Sequence, residues 1–168
     1  MALRIEPLAS HHDRARFSCG DASLDEWFRL RAGQDQRRNV ARVFVLVDDD
    51  LGVVGCYSLS SFSLVLDDLP DALAQRLPRY GSVPAALIGR LARDVRVRGQ
   101  GVGELLLADA VTRILGAGQS VAVYAIVVDA KSEAAAAFYE TFGFRRFPSR
   151  PLRLFLPTST AASALERL

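Results

Sequence analysis

The stretch Arg98-Gly99-Gln100-Gly101-Val102-Gly103 is the most informative segment of this chain, because it joins a predicted strand to a predicted helix. Upstream, residues 87–95 carry an apolar run typical of a strand. Downstream, apolar residues recur at helical spacing, at Val102, Leu105, Leu106, Ala110 and Ile114. Glycines let the backbone turn tightly, and the first amides of a helix point outward with the helix dipole behind them. The stretch therefore predicts an anion site suited to a phosphate.

Two common nucleotide-binding motifs do not fit this turn. A P-loop requires Gly-Lys-Ser/Thr after the turn, and this chain has none there. Leu106 stands where a dinucleotide fingerprint has its third glycine. Taken alone, the turn fits either a phosphate site of another kind or a purely structural connection between a strand and a helix.

The remaining apolar patterns predict a mixed sheet with helices packed on it. Apolar runs indicate strands at residues 3–5, 43–47, 53–59, 87–95, 121–128, 144–147 and 152–156. Helices are predicted after a capping box at Ser23-Leu24-Asp25-Glu26 and over residues 71–77, 102–114 and 131–142. This order predicts a three-layer α/β or α+β domain, with a mixed, mostly antiparallel sheet flanked by helices.

Length and composition predict one folded domain. The chain has 168 residues, of which 50% are hydrophobic and 24% are charged, and a domain typically takes about 100–200 residues. We predict a single domain over residues 1–156 and a C-terminal tail over residues 157–168. The apolar runs are shorter than a bilayer span and the N-terminus shows no secretory pattern, so we expect a cytoplasmic protein that does not engage a membrane.

Cysteine and histidine usage argues against several chemistries. Cys19 and Cys56 are too few and too far apart for a disulfide scaffold or a Cys-x-x-Cys site, so both are predicted to be reduced thiols. The only histidines are His11 and His12, which leaves none downstream for a Ser/His/Asp or Cys/His arrangement. We therefore expect neither a catalytic triad nor a metal site.

The basic residues are almost all arginine. Only Lys131 among the 21 basic residues is a lysine, and the formal net charge is +2. Arginine suits phosphorylated ligands and nucleic acid, although a GC-rich genome would produce the same bias. Arginines are dense from Arg76 to Arg98, whereas aspartates concentrate at residues 48–50 and 67–71. This segregation favours a protein with a side that faces a polyanion.

An Arg-x-x-Gly-x-Gly turn between a strand and an amphipathic helix resembles the coenzyme A pyrophosphate loop of the GNAT N-acetyltransferase family. The order of predicted elements is similar to that fold over nearly the whole chain. The resemblance implies acetyl-CoA as cosubstrate, with the backbone of Leu91, Ala92 and Arg93 pairing with the pantetheine arm. The residues that it implies for the pyrophosphate are Arg98, Gly99, Gly101, Gly103 and, through its backbone amide, Glu104.

A second match is Phe138-Tyr139-Glu140-Thr141-Phe142-Gly143-Phe144, which is similar to the closing helix of the family. The resemblance implies that Tyr139 lies beside the thioester sulfur and acts as general acid. Core packing alone would explain the three phenylalanines, but a buried phenol also needs a polar partner. No histidine or glutamate presents itself as the general base, and Asp94 is better explained as the partner of an arginine.

Further segments resemble one branch of the family, the toxins of bacterial toxin–antitoxin pairs that acetylate the amino group of aminoacyl-tRNA. These segments are residues 17–25, 55–59, 77–80, 88–94 and 128–130. The resemblance implies aminoacyl-tRNA as acceptor and a ribbon-helix-helix antitoxin as partner, and it leaves a homodimer open. We expect Arg79 and Arg90 to contact RNA, because arginines can hold an RNA backbone. The ester-linked amine of an aminoacyl-tRNA also has a depressed pKa, so its acetylation requires no strong base.

Two other functions stay open at this point. The same chemistry on a small-molecule amine or a protein lysine predicts an acidic or apolar acceptor pocket in place of a basic rim. A noncatalytic CoA-binding module would keep the glycine turn and dispense with Tyr139. The sequence favours the tRNA enzyme because the turn, the tyrosine and the arginines occur together.

Overall fold

A computed structural model describes residues 2–165 and places seven strands and six α-helices in that range. The strands are β1 Leu3–Pro7, β2 Arg42–Asp48, β3 Gly52–Val65, β4 Ser82–Arg93, β5 Ala125–Asp129, β6 Arg145–Phe147 and β7 Arg150–Pro157. The α-helices are α1 Ala22–Leu30, α2 Ala32–Arg37, α3 Asp71–Ala74, α4 Val102–Ala117, α5 Glu133–Glu140 and α6 Thr158–Leu165.

The seven strands form one sheet in the order β1-β2-β3-β4-β5-β7-β6. Strands β4 and β5 are parallel, in a register that runs from Ala85 opposite Ala125 to Ile88 opposite Val128. The pairs β1–β2, β2–β3, β5–β7 and β6–β7 are antiparallel. The predicted fold class, a mixed and mostly antiparallel sheet with flanking helices, is therefore confirmed.

The described chain divides into two compact units. The first comprises the chain up to Ser60 together with Gly89–Ala110, and the second comprises Ser61–Ile88 and the chain from Val111 onward. A single domain over residues 1–156 stays a prediction. Within the predicted tail, residues 158–165 form α6, where Ala161 is fully buried and the Thr158 amide donates to the carbonyl of Tyr124.

The first unit has two apolar clusters. One surrounds the aromatic side chains of α1, with Phe17 packed edge to face on Phe28 at 4.7 Å between ring centroids. The other joins Leu46 and Val54 of the sheet to Leu106 of α4. At Gly55 an added Cβ would lie 3.1 Å from a Leu106 methyl group, so the missing side chain allows α4 to approach β3 closely.

The second unit is built around strands β5 and β7. Residues 125–128 of β5 are fully buried, as the continuous apolar run predicts for a strand covered on both faces. Phe147 and Phe155 contact each other at 5.0 Å between ring centroids in the same cluster. Leu73 and Leu77, in and after α3, pack against this core.

Several predicted boundaries were wrong. Asp21, and not Ser23, caps α1, because Asp21 is extended and its carboxylate accepts from the amides of Ser23 and Leu24. Strand β5 begins at Ala125 and not at residue 121, since the amide of Val121 bonds to the Ala117 carbonyl after α4 and its side chain is exposed. Helix α2 has no counterpart among the predicted elements.

The carboxylate of Asp94 fixes the end of β4. It is 1% exposed and accepts from the backbone amide of Ser18 at 3.1 Å and from that of Arg96 at 2.9 Å. The Arg96 guanidinium donates to both carboxylate oxygens at 2.9 Å. The amide of Asp94 in turn donates to the Val54 carbonyl at 2.8 Å. Asp94 thus links the N-terminal segment and the start of the glycine turn through its carboxylate, and β3 through its backbone amide.

We predict that Asp94→Asn lowers the free energy of unfolding by about 2–3 kcal/mol, because charge-assisted hydrogen bonds are removed and Arg96 keeps no ionised partner. Burial alone would raise the pKa of Asp94, but the hydrogen bonds from Arg96 and Ser18 outweigh it and the pKa is lowered. A lowered carboxyl pKa stabilises the folded state above the unfolded value of about 3.9, and this stabilisation is lost as the pH falls through the folded pKa.

Urea denaturation of wild type and variant from neutral to acidic pH measures this effect. The difference in unfolding free energy is expected to shrink as the pH falls below about 4. Asp50→Asn is the matched control, since Asp50 is an exposed turn residue. Equal stabilities of wild type and Asp94→Asn at neutral pH would contradict the role given to this carboxylate.

Candidate functional site

The glycine turn lies in the first unit, between β4 and α4. A short 3-10 turn, Val95–Val97, follows Asp94, and Arg98, Gly99 and Gly101 are exposed. At the start of α4 the Leu105 amide donates to the Gly101 carbonyl at 3.1 Å. The amides of residues 102–104 precede this bond and point out of the helix end, where the dipole favours an anion.

Two glycines of the turn have left-handed backbone conformations. Gly99 has a φ of 78° and Gly101 a φ of 74°, which other residues adopt only at a cost. An added Cβ at Gly99 would meet nothing within 4 Å, and one at Gly101 would lie 3.8 Å from a carboxylate oxygen of Glu104. Backbone conformation, more than crowding, therefore requires glycine here.

Arg98 completes the electrostatics of the turn. It is exposed, and within residues 2–165 no carboxylate pairs with its guanidinium. Arg96, two residues earlier, is by contrast committed to Asp94. The turn thus offers outward amides and one available guanidinium, a donor set that fits a pyrophosphate.

The side chains of the last three residues of β4 lie in different surroundings. Leu91 packs against the cluster of Leu46, Val54 and Leu106, whereas Ala92 is 3% exposed in the cluster around the α1 aromatics. Arg93 is half-buried. All three residues follow the β4–β5 register, which ends at Ile88.

Tyr139 lies on α5 in the second unit. Its ring is 6% exposed and contacts the rings of Phe138 at 5.3 Å and Phe144 at 5.6 Å. Its hydroxyl has no hydrogen-bond partner in the part of the chain that the structure describes. Because no fully buried side-chain oxygen in that part lacks a partner, the phenol oxygen itself reaches the surface. The ring is held in the core while the O–H stays available as a donor.

Burial and the negative charge of Asp129 raise the pKa of Tyr139. Asp129 ends β5 and is bound by Arg153, whose Nε and Nη2 donate to its two carboxylate oxygens at 2.7 and 3.0 Å. The guanidinium of Arg153 also lies over the ring of Phe62 at 5.0 Å. Tyr139 therefore stays protonated through the neutral range and can donate a hydrogen bond but not act as a base.

Asp94 is a poor general base. Its pKa is lowered and both of its oxygens are occupied by Arg96. The interpretation of this residue as the partner of an arginine is confirmed. The hydrogen bonds that Asp94 makes within residues 2–165 are those of a structural group.

The two arginines expected to contact RNA have different surroundings. Arg79 is exposed in the second unit, and no carboxylate pairs with it among the described residues. Arg90, in the first unit, lies over the buried ring of Trp27 at 4.3 Å, and Trp27 donates to Asp35 at 2.9 Å. Stacking uses the face of the guanidinium and leaves its N–H edges for a phosphate.

The structure also brings together Glu6, His11 and His12, whose candidate ligand atoms lie within 4.8 Å of one another. The amide of Ala9 donates to Nδ1 of His12 at 2.9 Å, so the proton of the neutral ring sits on Nε2 and faces Glu6 at 2.6 Å. A metal would need the lone pair of Nε2. The hydrogen bonds of His12 to the Ala9 amide and to Glu6 therefore account for this cluster.

Sequence reasoning missed the Trp27–Arg90 stack and the Asp129–Arg153 pair. The second has a faint signal, because both residues lie at the ends of predicted strands, but the register of β5 against β7 sets the partner. The first joins residues that no local pattern relates.

The chain is similar to known acetyltransferases in sequence. Residues 39–146 match the family model described as the acetyltransferase (GNAT) domain. The chain is 37% identical over 170 residues to a probable toxin TacT of Sinorhizobium fredii, covering 96% of this chain and 94% of that one. It is 39% identical over 144 residues to the tRNA-acetylating toxin of Mycobacterium tuberculosis, covering 86% and 85%.

Solved structures agree. A tyrosine-to-phenylalanine mutant of KacT superposes with a TM-score of 0.90 at 30% identity, covering 97% of this chain and 99% of that one. AtaT in complex with acetyl-methionyl-tRNAfMet gives a TM-score of 0.88 at 28% identity, covering 96% and 98%. Within residues 2–165, no helix combines the length and apolarity of a membrane span. The match to the family model, together with 37% and 39% identity to two relatives over most of the chain, shows that the chain belongs to the GNAT acetyltransferases.

Proposed function

We propose that this protein is a toxin that transfers the acetyl group of acetyl-CoA to the amino group of an aminoacyl-tRNA and so blocks translation. One observation carries the choice of acceptor: the chain is 39% identical to a tRNA-acetylating toxin over most of both chains. AtaT, which is similar over nearly its whole length and was solved with acetyl-methionyl-tRNAfMet, supports the same acceptor. The local geometry of the glycine turn and of Tyr139 supplies the chemistry.

Acetyl-CoA binding is assigned to the first unit. The outward amides of Gly103 and Glu104, the left-handed backbone of Gly99 and Gly101, and the guanidinium of Arg98 form the site for the pyrophosphate. The backbone of residues 91–93 is assigned to the pantetheine arm, since these residues lie beyond the part of β4 that pairs with β5. The thioester supplies an acyl group with a thiolate as leaving group.

Tyr139 donates a hydrogen bond to the departing sulfur in this proposal. A free thiol has a pKa of about 8.5, whereas burial and Asp129 raise the pKa of Tyr139 above its usual value of 10.0. Full proton transfer from such a phenol to a thiolate is therefore uphill. Stabilisation by a held O–H group accounts better for its part, as it does for other developing negative charges.

Proton balance explains why no strong base is required. The attacking amine loses one proton as the amide forms, and the leaving thiolate takes up one proton, so the overall reaction neither needs nor releases one. An ester-linked aminoacyl amine is already deprotonated in good part near neutral pH, because its pKa is depressed. Asp94 is paired with Arg96 and so does not offer an unpaired carboxylate as a base, which agrees with an acceptor amine that needs none.

RNA binding is assigned to arginines that acids leave unneutralised. The carboxylate-bound arginines of the described chain include Arg96, Arg146 and Arg153. Arg79 is exposed, and Arg90 is held against Trp27 with its N–H edges available. An arginine fixed in this way loses less conformational freedom when it meets a phosphate.

An antitoxin is the expected protein partner. AtaT was solved with the C-terminus of the antitoxin AtaR, and KacTA was solved with DNA. We extend this to the present chain and propose a ribbon-helix-helix antitoxin, and we infer the cytoplasm as the compartment because acetyl-CoA and aminoacyl-tRNA are both used there.

Gly101→Val is expected to weaken acetyl-CoA binding at least about tenfold. A β-branched residue at a positive φ costs about 1–2 kcal/mol or more and turns the amides away from the pyrophosphate. Gly52→Val is the matched control, because Gly52 has a φ of 79° with nothing near its Cβ position, in the β2–β3 turn. Calorimetry that finds unchanged affinity in a folded Gly101→Val protein would remove the turn from the site.

Tyr139→Phe is expected to lower turnover by roughly 10²- to 10³-fold, the usual cost of losing one preorganised hydrogen-bond donor, while acetyl-CoA affinity is retained. The ring contacts with Phe138 and Phe144 survive the change, so the melting temperature serves as the folding control. Because the pKa of Tyr139 is raised, the wild-type rate should show no loss from its ionisation below about pH 10. A variant that acetylates at the parental rate would make the tyrosine structural.

The assay of the proposed function incubates the protein and labelled acetyl-CoA with charged tRNA, uncharged tRNA, free amino acids, polyamines and a lysine peptide. Label is expected on charged tRNA alone, and Tyr139→Phe is expected to relieve growth arrest while RNA binding persists. Label on a polyamine or on the peptide, with none on any aminoacyl-tRNA, would reassign the chain to small-molecule or protein acetylation.

A further inference from the structure

An exposed tyrosine beside α3 lacks any structural explanation. Tyr80 is 81% exposed, and within residues 2–165 its side chain makes no hydrogen bond and meets no ring or guanidinium. Tyrosine usually buries its ring. A ring left open on both faces is suited to stacking against a flat ligand.

The backbone on both sides of Tyr80 is anchored. The Tyr80 amide donates to the Pro78 carbonyl at 2.9 Å, which closes a tight turn. The next residue, Gly81, has a φ of 82°, and its carbonyl accepts from the Leu66 amide at 3.0 Å. Leu77, on the other side, packs into the core of the second unit. The turn is thus anchored at both ends, so Tyr80 is presented by a fixed element.

A basic cavity adjoins the same segment. It has a volume of about 640 Å³, and Arg76, Arg145 and the hydroxyl residues Ser159, Thr160 and Ser163 contribute to its lining. No acidic residue of the described chain lines it. The Arg145 guanidinium lies over the ring of Phe155 at 5.5 Å, and neither arginine pairs with a carboxylate within residues 2–165. This lining suits a phosphate diester.

A second cavity shares Leu77 with the first but has a different character. Its volume is about 420 Å³, and Asp67 and Asp71 line it together with Arg79. Two carboxylates repel a phosphate, so the cavity lined by Arg76 and Arg145 suits a phosphate better than this one.

We propose that Tyr80 stacks on an unpaired base of the tRNA 3′ end and that Arg76 and Arg145 hold a neighbouring phosphate. This inference rests on the proposed function, because aminoacyl-tRNA carries its amino acid at an unpaired 3′ end. Unpaired bases expose faces that aromatic side chains bind regardless of sequence. The site therefore selects the single-stranded end of the RNA and not a base identity.

The test compares an RNA hairpin that has an unpaired 3′ end with the same hairpin made blunt. Tyr80→Ala is expected to weaken binding of the first by about 5- to 150-fold and to leave binding of the second unchanged. Tyr80→Phe is expected to bind both as wild type does, because the ring face is kept. Wild-type affinity of Tyr80→Ala for the unpaired end would overturn the proposal.

The role of the two arginines has its own measurement. Arg76→Ala with Arg145→Ala is expected to lower the slope of log affinity against log salt by about 0.7 for each phosphate of the single-stranded RNA that is no longer neutralised. Arg31→Ala, which removes one positive charge from an exposed pair with Glu26, is expected to leave the slope unchanged. An unaltered slope in the double variant would remove the cavity from the site.

Transfer of label to charged tRNA, measured in parallel, separates the two proposals. If the wild type acetylates charged tRNA and Tyr80→Ala binds the unpaired end normally, the stacking role falls and the function stands. If the wild type acetylates no charged tRNA but Tyr80→Ala fails to bind the unpaired end, the stacking role stands for RNA binding and the acceptor falls.

Discussion

The buried carboxylate of Asp94 is the interaction on which the glycine turn depends. It accepts hydrogen bonds from Ser18, 76 residues away, and from the backbone and guanidinium of Arg96. A carboxylate shielded from water needs such partners, since unpaired it would be costly. Its partners set where β4 ends and where the chain enters the turn. The exposed backbone of Gly99 and Gly101 is therefore positioned by a buried carboxylate whose oxygens are occupied by hydrogen bonds within the protein.

Arginine serves two purposes in this protein. Arg96, Arg146 and Arg153 are bound by carboxylates, and their charge is largely neutralised locally. Arg98 is exposed and without an acidic partner in the described chain, and Arg90 is held by an aromatic ring. Net charge therefore says little about what the surface can bind. The distribution of acids decides which guanidinium groups are available to phosphate.

Tyr139 shows how a core position can keep a polar atom available. Its ring packs between Phe138 and Phe144, which fixes its direction, and its hydroxyl is left without a protein partner in the described residues. Burial and Asp129 raise its pKa, which keeps the proton on the oxygen. A fixed donor of this kind loses little freedom when it meets a developing anion, which is the physical basis of preorganised stabilisation.

Features that depend on neighbours along the chain could be predicted from the sequence. The glycine turn, helix α4 and the buried strand β5 follow from local spacing and from the backbone freedom of glycine, and the glycine turn also carries the resemblance to the family. Tertiary structure alone decided what distant residues do to one another. The contact of Arg90 with Trp27 depends on packing, and the exposure of Tyr80 depends on an anchored turn. Contacts between residues far apart in sequence are set by how elements pack, which no local period encodes.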